Sequence, residues 1–126
     1  MKKEKVFTVN APKPIGPYSQ AIISEGKFIF ISGQVALDEI GNLISKTIQE
    51  QTAGAIKQIS EILASQNLTL ENVVKTTVLM KDLSHFTEMN ETYEKYFGTS
   101  KPARATYQVV RLPKDALIEI EAIAVF

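Results

Sequence analysis

The pattern of apolar and polar residues predicts two strands in the first third of the chain. Segments 20–24 and 27–35 have the composition of strands, and a turn-prone Glu-Gly pair separates them. In the second segment Phe28 and Phe30 point to one face, and the isoleucine that follows each of them points to the other. Both faces of this strand are therefore predicted to be covered.

The pattern changes to helical spacing at two places. Thr47 followed by Glu50 is a capping-box pattern, which predicts a helix that starts there and ends near residues 65–68. A shorter helix is predicted over 84–98, where Gly98 stops it, and its aromatic stripe is interpreted as core packing. The predicted inner faces are Ile48, Ala55, Ile56, Ile59, Ile62 and Leu63 in the first helix, and Phe86, Met89, Tyr93, Tyr96 and Phe97 in the second.

Three further strands are predicted, over 72–82, 103–110 and 116–126. The last two should form an antiparallel hairpin through a turn at 111–115, which contains proline and aspartate. The resulting order of elements indicates one α+β domain over residues 1–126, with a single sheet and two helices on one face.

Two helices can shield only one face of such a sheet, although its strands are apolar on both faces. A symmetric homo-oligomer that buries the second face between subunits is the economical solution. Pockets commonly form at such junctions, so a ligand site between subunits is expected.

Composition narrows the possible function classes. The 126 residues carry zero formal net charge, which gives no electrostatic reason to expect binding to nucleic acid or to an anionic membrane. The chain has no cysteine and one histidine, so thiolate sites, disulfides and multi-histidine metal sites are excluded. Its start lacks the apolar segment of a signal peptide, and no apolar run reaches membrane-spanning length. We therefore expect a cytoplasmic protein without a bound metal.

Two glutamates inside the last strand are the main candidates for chemistry. Glu119 and Glu121 share one face of an otherwise apolar strand, where an unpaired carboxylate is costly. On the preceding strand Arg104, Thr106 and Gln108 share one side, which the predicted hairpin would place beside the glutamates. Arg104 and Glu119 could form an ion pair at a subunit interface, or they could line a ligand site. Because an arginine matches a carboxylate and a glutamate can activate a water, the second interpretation indicates hydrolysis of a small acid.

A proline-rich loop presents a further candidate side chain. Segment 12–20 contains three prolines and a glycine, which exclude a regular helix or a central strand, so Tyr18 is predicted to lie on a stiff loop. The chain contains neither a GxSxG nucleophile motif nor a GxxxxGK[ST] phosphate loop that would indicate a different chemistry.

Four segments carry recognisable motifs. They are IGPYSQA at 15–21, ISGQV at 31–35, the segment 73–97, and the segment 101–125 with its PAR, LPKD and IEIEA motifs. In this order, and over nearly the whole chain, they resemble the RidA (YjgF) family of reactive-intermediate deaminases.

This resemblance implies a chorismate-mutase-like homotrimer, in which the sheets form a central barrel, the helices lie outside and the sites lie in clefts between subunits. It also implies hydrolysis without a cofactor of small imino acids, 2-iminopropanoate and 2-iminobutanoate, to 2-oxo acids and ammonia.

The resemblance assigns roles to individual residues. Arg104 matches the arginine that holds the substrate carboxylate, Glu119 the acid that positions the attacking water, and Tyr18 a tyrosine of the pocket. Catalysis is thus predicted to rest on these three side chains.

The same resemblance predicts substrate-binding residues. Ser32 and Gly33 match a strand end whose backbone faces the imine, and Asn90 matches a residue near the cleft. Thr106 stands where many bacterial members have cysteine; its hydroxyl can bind a ligand but is a poor nucleophile without a base.

Two other functions stay open on the sequence. A small-acid-binding regulatory trimer would use Arg104 without turnover. Cleavage of single-stranded RNA is also ascribed to members of this family, but zero net charge and the lack of a basic stripe with interleaved aromatics argue against it.

Overall fold

A computed structural model describes residues 2–126 of the chain. Short helical turns at 70–72, 83–85 and 113–115 supplement the regular elements. The strands and helices are β1 (Lys2–Val6), β2 (Ala21–Glu25), β3 (Phe28–Gln34), α1 (Ile48–Ala64), β4 (Val73–Met80), α2 (Phe86–Phe97), β5 (Ala103–Gln108) and β6 (Ile118–Val125).

Both helices pack on one face of a four-stranded mixed sheet, which confirms the predicted α+β arrangement. The strand order is β3-β6-β4-β5; β4 and β5 run parallel, and the other two pairs run antiparallel. Between the helices and this sheet lies a buried core that includes Ile56, Leu63, Val78, Tyr93 and Ile120. None of the helices within residues 2–126 is long and apolar enough to cross a membrane.

The predicted hairpin between the last two strands is wrong. β5 pairs in parallel with β4, and β6 lies between β3 and β4. β6 takes this central position because Ile118, Ile120 and Ala122 are all buried, whereas β5 ends in the exposed Tyr107 and Gln108 and takes the edge.

The prediction of a single sheet is also wrong. The lysine-rich segment Lys2–Val6 forms a strand that the apolar pattern did not reveal, and it pairs with β2 as a separate two-stranded sheet. The strands predicted at 20–24 and 27–35 both form, but they belong to different sheets. β1 and β2 pair along the whole of β1, and such backbone pairing forms without an apolar alternation in the sequence.

The helix boundaries follow the predicted signals. The Thr47 hydroxyl accepts a hydrogen bond of 3.2 Å from the Glu50 amide, and α1 ends at Ala64. α2 ends at Phe97, directly before Gly98. Two residues of the predicted inner faces are instead exposed: Ile62 by 37% and Tyr96 by 40%, because both lie on the flanks of their helices.

The sheet face opposite the helices has no cover within residues 2–126. We call it the open face. Phe28 and Phe30 of β3 and Tyr107 of β5 lie on it with exposed fractions of 52%, 74% and 56%. Large exposed apolar side chains that share one face are typical of an interaction surface.

Candidate functional site

Arg104 and Glu119 lie on opposite faces of the four-stranded sheet. Arg104 is paired with Thr76, a buried residue whose hydroxyl contacts α2, so the arginine lies on the helix-covered face. Glu119 is paired with Leu79 of β4. Both neighbours of Leu79, Val78 and Met80, are buried under the helices, and side chains alternate along a strand, so Leu79 and Glu119 lie on the open face. The expectation that one chain brings Arg104 beside the glutamates is wrong, because β4 separates their strands and the two side chains point in opposite directions.

The first group of candidate residues is the arginine cluster, which consists of Tyr18, Phe86, Asn90, Tyr93 and Arg104. The guanidinium carbon of Arg104 lies 4.9 Å from the ring centre of Tyr93, 5.3 Å from that of Tyr18 and 5.6 Å from that of Phe86. Its Nη1 donates a hydrogen bond of 2.6 Å to Asn90 Oδ1. Three aromatic faces and one amide oxygen thus surround a cation.

No carboxylate forms an ion pair with Arg104 among residues 2–126. Partial burial lowers the pKa of Arg104, and the nearby Tyr93 and Tyr18 oppose that change. An arginine remains protonated in proteins, so the arginine cluster holds a partly desolvated positive charge without a counter-charge. Such a charge favours an anion, and a carboxylate fits its two-pronged geometry.

Tyr93 supports this cluster from the core. Its hydroxyl makes a buried hydrogen bond of 2.7 Å with the Thr76 hydroxyl, and burial raises the pKa of Tyr93 to about 12. Tyr93 is therefore a neutral phenol at physiological pH, with its ring face toward Arg104. The apolar pattern predicts only core packing for Tyr93 and Phe86; the signal for their second role is the spacing of residues 86, 90 and 93, which places them on one face of α2.

Local hydrogen bonds fix the loop that carries Tyr18. The Tyr18 amide donates to the carbonyl of Gly16 at 2.8 Å, and the Ser19 amide donates to the carbonyl of Pro102, two residues before Arg104, at 3.3 Å. The side-chain amide of Gln20 donates to the carbonyls of Thr8 and Pro12, each at 3.0 Å. The loop is therefore tied to the start of β5, and Tyr18 lies outside the regular helices and strands, as predicted.

Thr106 lies two residues after Arg104, on the same side of β5. Its hydroxyl oxygen is buried and has no hydrogen-bond partner in the described part of the chain. Buried hydroxyls normally find a partner, so this oxygen can take one from a bound ligand.

The second group is the glutamate bulge, which consists of Ser32, Gly33 and Glu119. Ile31 is paired with Ala122 and Gln34 with Ile120, so Ser32 and Gly33 together face one residue of β6, Glu121. This is a β-bulge, a feature that often re-aims groups beside active sites. A β-carbon at residue 33 would overlap the Glu119 carboxylate, so the absence of a side chain lets that carboxylate lie against the Gly33 backbone.

Two cavities border the glutamate bulge. One of about 620 Å³ is lined by Gly33, Gln58 and Glu119 together with acidic residues such as Glu61. The other, of about 320 Å³, lies in the open face beside Ser32, where burial lowers the pKa of Lys75 and Glu121 opposes that change. Within residues 2–126 no group of three or more histidine, cysteine, aspartate or glutamate side chains could hold a metal ion.

The seven predicted site residues thus form two separate groups in one chain. Tyr18, Asn90 and Arg104 meet in the arginine cluster, with Thr106 on the same side of the same strand. Ser32, Gly33 and Glu119 meet at the bulge.

Known proteins share this sequence and fold. The endoribonuclease L-PSP family matches residues 8–126. A RutC family protein of Pyrococcus abyssi is 55% identical over 98% of each chain, and the human 2-iminobutanoate/2-iminopropanoate deaminase is 46% identical over 95% of this chain and 88% of its own. The crystal structure of E. coli TdcF with bound serine is 35% identical and superposes with a TM-score of 0.73 over 98% of each chain. The protein belongs to the endoribonuclease L-PSP family, which is the RidA (YjgF) family that its motifs resemble.

Proposed function

We propose that this protein is a reactive-intermediate deaminase that hydrolyses 2-iminopropanoate and 2-iminobutanoate to 2-oxo acids and ammonia without a cofactor. The observation that carries the proposal is Arg104, a partly buried cation without a carboxylate partner among residues 2–126, enclosed by three aromatic rings. It supplies a fixed site for the carboxylate of a small acid. Relatives named as deaminases of these two imino acids, at 46% identity, support this choice of substrate.

The assembly that we propose is a homotrimer with a chorismate-mutase-like central barrel. Arg104 and Glu119 point away from each other across the sheet, so they can act on one substrate only if each comes from a different copy. The exposed aromatic residues of the open face provide an apolar surface for such an association. Packing of the open faces around a barrel would then place the arginine cluster of one subunit across a cleft from the glutamate bulge of its neighbour.

In this cleft Arg104 holds the substrate carboxylate by two parallel hydrogen bonds, and Asn90 fixes the guanidinium through its amide oxygen. The Thr106 hydroxyl donates to the same end of the substrate, and Tyr18 closes the pocket around it. The backbone at Ser32 and Gly33 faces the imine carbon. These contacts convert a reaction with bulk water into one between oriented partners.

Glu119 acts as the general base and then as the acid. It takes a proton from water as the water oxygen bonds to the imine carbon, and it gives that proton to the nitrogen, which has received the electron pair of the C=N bond. The resulting carbinolamine carries a hydroxyl and an amino group on one carbon. Glu119 then takes the proton of this hydroxyl as the carbonyl forms and gives it to the amino nitrogen as the C–N bond breaks, so ammonia leaves and the carboxylate is regenerated.

An imine-trapping assay tests the proposal. An amino-acid oxidase generates 2-iminopropanoate in place, semicarbazide traps it, and an active deaminase lowers the amount trapped. Wild-type protein should lower trapping, whereas Arg104→Ala and Glu119→Gln should not. Glu25→Gln is the control, because Glu25 is an exposed carboxylate on β2, outside both groups of candidate residues. An assembled wild-type protein that leaves trapping unchanged would overturn the proposal.

A second candidate is a regulatory trimer that binds small acids without turnover. The TdcF structure with bound serine favours it, because serine is a small carboxylate ligand. Calorimetric binding of 2-oxobutanoate by Arg104, without any decrease in semicarbazide trapping, would support this candidate over the deaminase.

The family name also raises RNA cleavage, which would require nuclease activity that co-purifies with the protein and is lost in Arg104→Ala.

A further inference from the structure

The glutamate bulge is connected to helix α1 by one side chain, Gln58. The Gln58 Oε1 accepts a hydrogen bond of 3.1 Å from the Leu37 amide, and its Nε2 donates to the Val35 carbonyl at 2.9 Å. The same Nε2 donates to Gln34 Oε1 at 3.1 Å. Because the backbone partners are an N–H on one side and a C=O on the other, the orientation of the Gln58 amide is determined.

That orientation carries over to the bulge through Gln34. Since the Gln34 Oε1 accepts from Gln58, its Nε2 points the other way and donates to the Ser32 carbonyl at 3.1 Å. The chain of contacts from α1 to the bulge is therefore Gln58, Gln34 and then the Ser32 carbonyl. Every member of it has a donor matched to an acceptor.

The Ser32 carbonyl belongs to the same peptide unit as the Gly33 amide. A trans peptide is planar, so its C=O and N–H point in opposite directions, and a bond that holds the carbonyl also sets the direction of the amide. The Glu119 carboxylate lies against Gly33. A rotation of this peptide unit would therefore move both the Gly33 amide and the surface on which Glu119 rests.

We propose that Gln58 is a positioning residue, which acts through Gln34 to hold the Ser32–Gly33 peptide in the orientation that seats the Glu119 carboxylate. This inference rests on the proposed deaminase function. One cavity of about 620 Å³ is bordered by Gln58, Gly33 and Glu119, so Gln58 lies close to the carboxylate that it positions. The hydrogen bond of Arg104 goes to Asn90 and to no member of this chain of contacts, so we expect its affinity for a carboxylate not to depend on Gln58.

The test separates ligand affinity from the rate of the chemical step. Gln58→Leu and Gln34→Leu should each lower the rate of imine hydrolysis roughly tenfold, because displacement of a reacting group by less than an ångström carries a cost of this order. The dissociation constant for 2-oxobutanoate, measured by calorimetry, should stay within about twofold of the wild-type value because Arg104 holds that ligand. The double variant should lose no more rate than either single variant, since both changes break the same chain of hydrogen bonds.

Two further variants keep the test decisive. Gln58→Glu keeps the acceptor for the Leu37 amide and loses both donated bonds, so it should fold normally and still lose rate. Gln49→Leu replaces an exposed glutamine on the same helix and should leave the rate unchanged. Unchanged rates in Gln58→Glu and Gln58→Leu, with an active wild type, would overturn the inference.

A readout that needs no turnover distinguishes failure of this inference from failure of the proposed function. The ¹⁵N–¹H amide signal of Gly33 should shift in Gln58→Leu, a change remote along the chain, and stay in place in Gln49→Leu. If the Gly33 signal does not shift in Gln58→Leu, the positioning role of Gln58 is overturned even if the deaminase proposal holds. If the wild type is inactive but the Gly33 signal shifts in Gln58→Leu, the deaminase proposal is overturned, and Gln58 still positions the Ser32–Gly33 peptide.

Discussion

At the scale of the residue, the main feature is a cation held by aromatic faces instead of by an acid. Within residues 2–126 the Arg104 guanidinium donates a hydrogen bond to Asn90, and its central carbon lies within 5.6 Å of the centres of three rings. Ring faces stabilise a cation by about 0.5 to 2 kcal/mol each without neutralising it. A carboxylate partner from the same chain would have stabilised the arginine more strongly, but it would have competed with an anionic ligand.

We expect the Tyr93 ring to support ligand binding and its hydroxyl to contribute mainly to stability. Tyr93→Leu should weaken the binding of 2-oxobutanoate several-fold, in line with the loss of one cation–π contact of roughly 1 kcal/mol. Tyr93→Phe, which keeps the ring, should bind with nearly wild-type affinity and lose roughly 1 kcal/mol of stability with the hydrogen bond to Thr76. Isothermal titration calorimetry measures the affinity, and urea unfolding measures the stability.

Phe97→Leu is the control for this prediction. Phe97 is buried like Tyr93 and packs against it with ring centres 4.6 Å apart, but it makes no cation–π contact with Arg104. Both leucine variants should lose stability by about 1 to 3 kcal/mol. Equal loss of affinity in both variants would mean that packing, and not the ring face toward Arg104, controls binding.

At the scale of the element, a β-bulge at the end of β3 and the helix that braces it shape the acidic part of the site. Ser32 and Gly33 of β3 together face one residue of β6, Glu121, which interrupts the regular ladder two residues from Glu119. The ISGQ motif was recognised in the sequence, but the bulge was not predicted, because nothing local in four residues specifies the register of the opposing strand.

Gly33→Ala should lower imine hydrolysis by at least roughly tenfold, because the new methyl group would occupy the position of the Glu119 carboxylate. The cost in stability should be small, since the end of a glutamate side chain can rotate away. The trapping assay measures the loss of activity, and thermal unfolding measures the stability.

Gly41→Ala is the control, for which we expect a loss of stability and no loss of activity. Gly41 has a φ of +88°, and no atom lies within 4 Å of the position that a β-carbon would take, so alanine there is strained but touches nothing. This variant should lose stability by roughly 1 kcal/mol and keep full activity. Full activity in Gly33→Ala would show that the position of Glu119 against the bulge does not matter for the reaction.

At the scale of the whole molecule, the two groups of candidate residues lie on opposite faces of one sheet. Under the proposed function, each chain would therefore supply two half-sites, and a complete site would need a second copy. This geometry ties catalysis to assembly: a subunit that cannot associate should bind a small acid weakly at Arg104 and have no base to act on it.

Mixed assemblies test this directly. Arg104→Ala and Glu119→Gln should each be inactive alone, but refolding them together in equal amounts should restore about one quarter of wild-type activity, because random mixing unites an intact Arg104 and an intact Glu119 in that share of interfaces. Light scattering checks that the mixture has the mass of a trimer. A trimer without recovered activity would mean that both residues serve the site from the same chain.

Much of the local structure and the identity of the candidate residues followed from the sequence. The periods of apolar residues located β3, β4, β6 and both helices, and the Thr47 cap placed the start of α1. These features depend on neighbours a few residues apart, so local steric and hydrogen-bonding rules suffice to predict them. The family motifs singled out Arg104 and Glu119 without any knowledge of their surroundings.

The tertiary structure alone decided how these parts meet. It placed β6 between β3 and β4, paired β5 in parallel with β4, and thereby put Arg104 and Glu119 on opposite faces. Strand order and register depend on pairings between distant segments. The strand that buries the most apolar surface takes the central position, and the remaining strands pair with the backbone edges that are still free. For the same reason the aromatic enclosure of Arg104 and the brace from Gln58 could not be predicted from the sequence: each joins elements that are far apart along the chain.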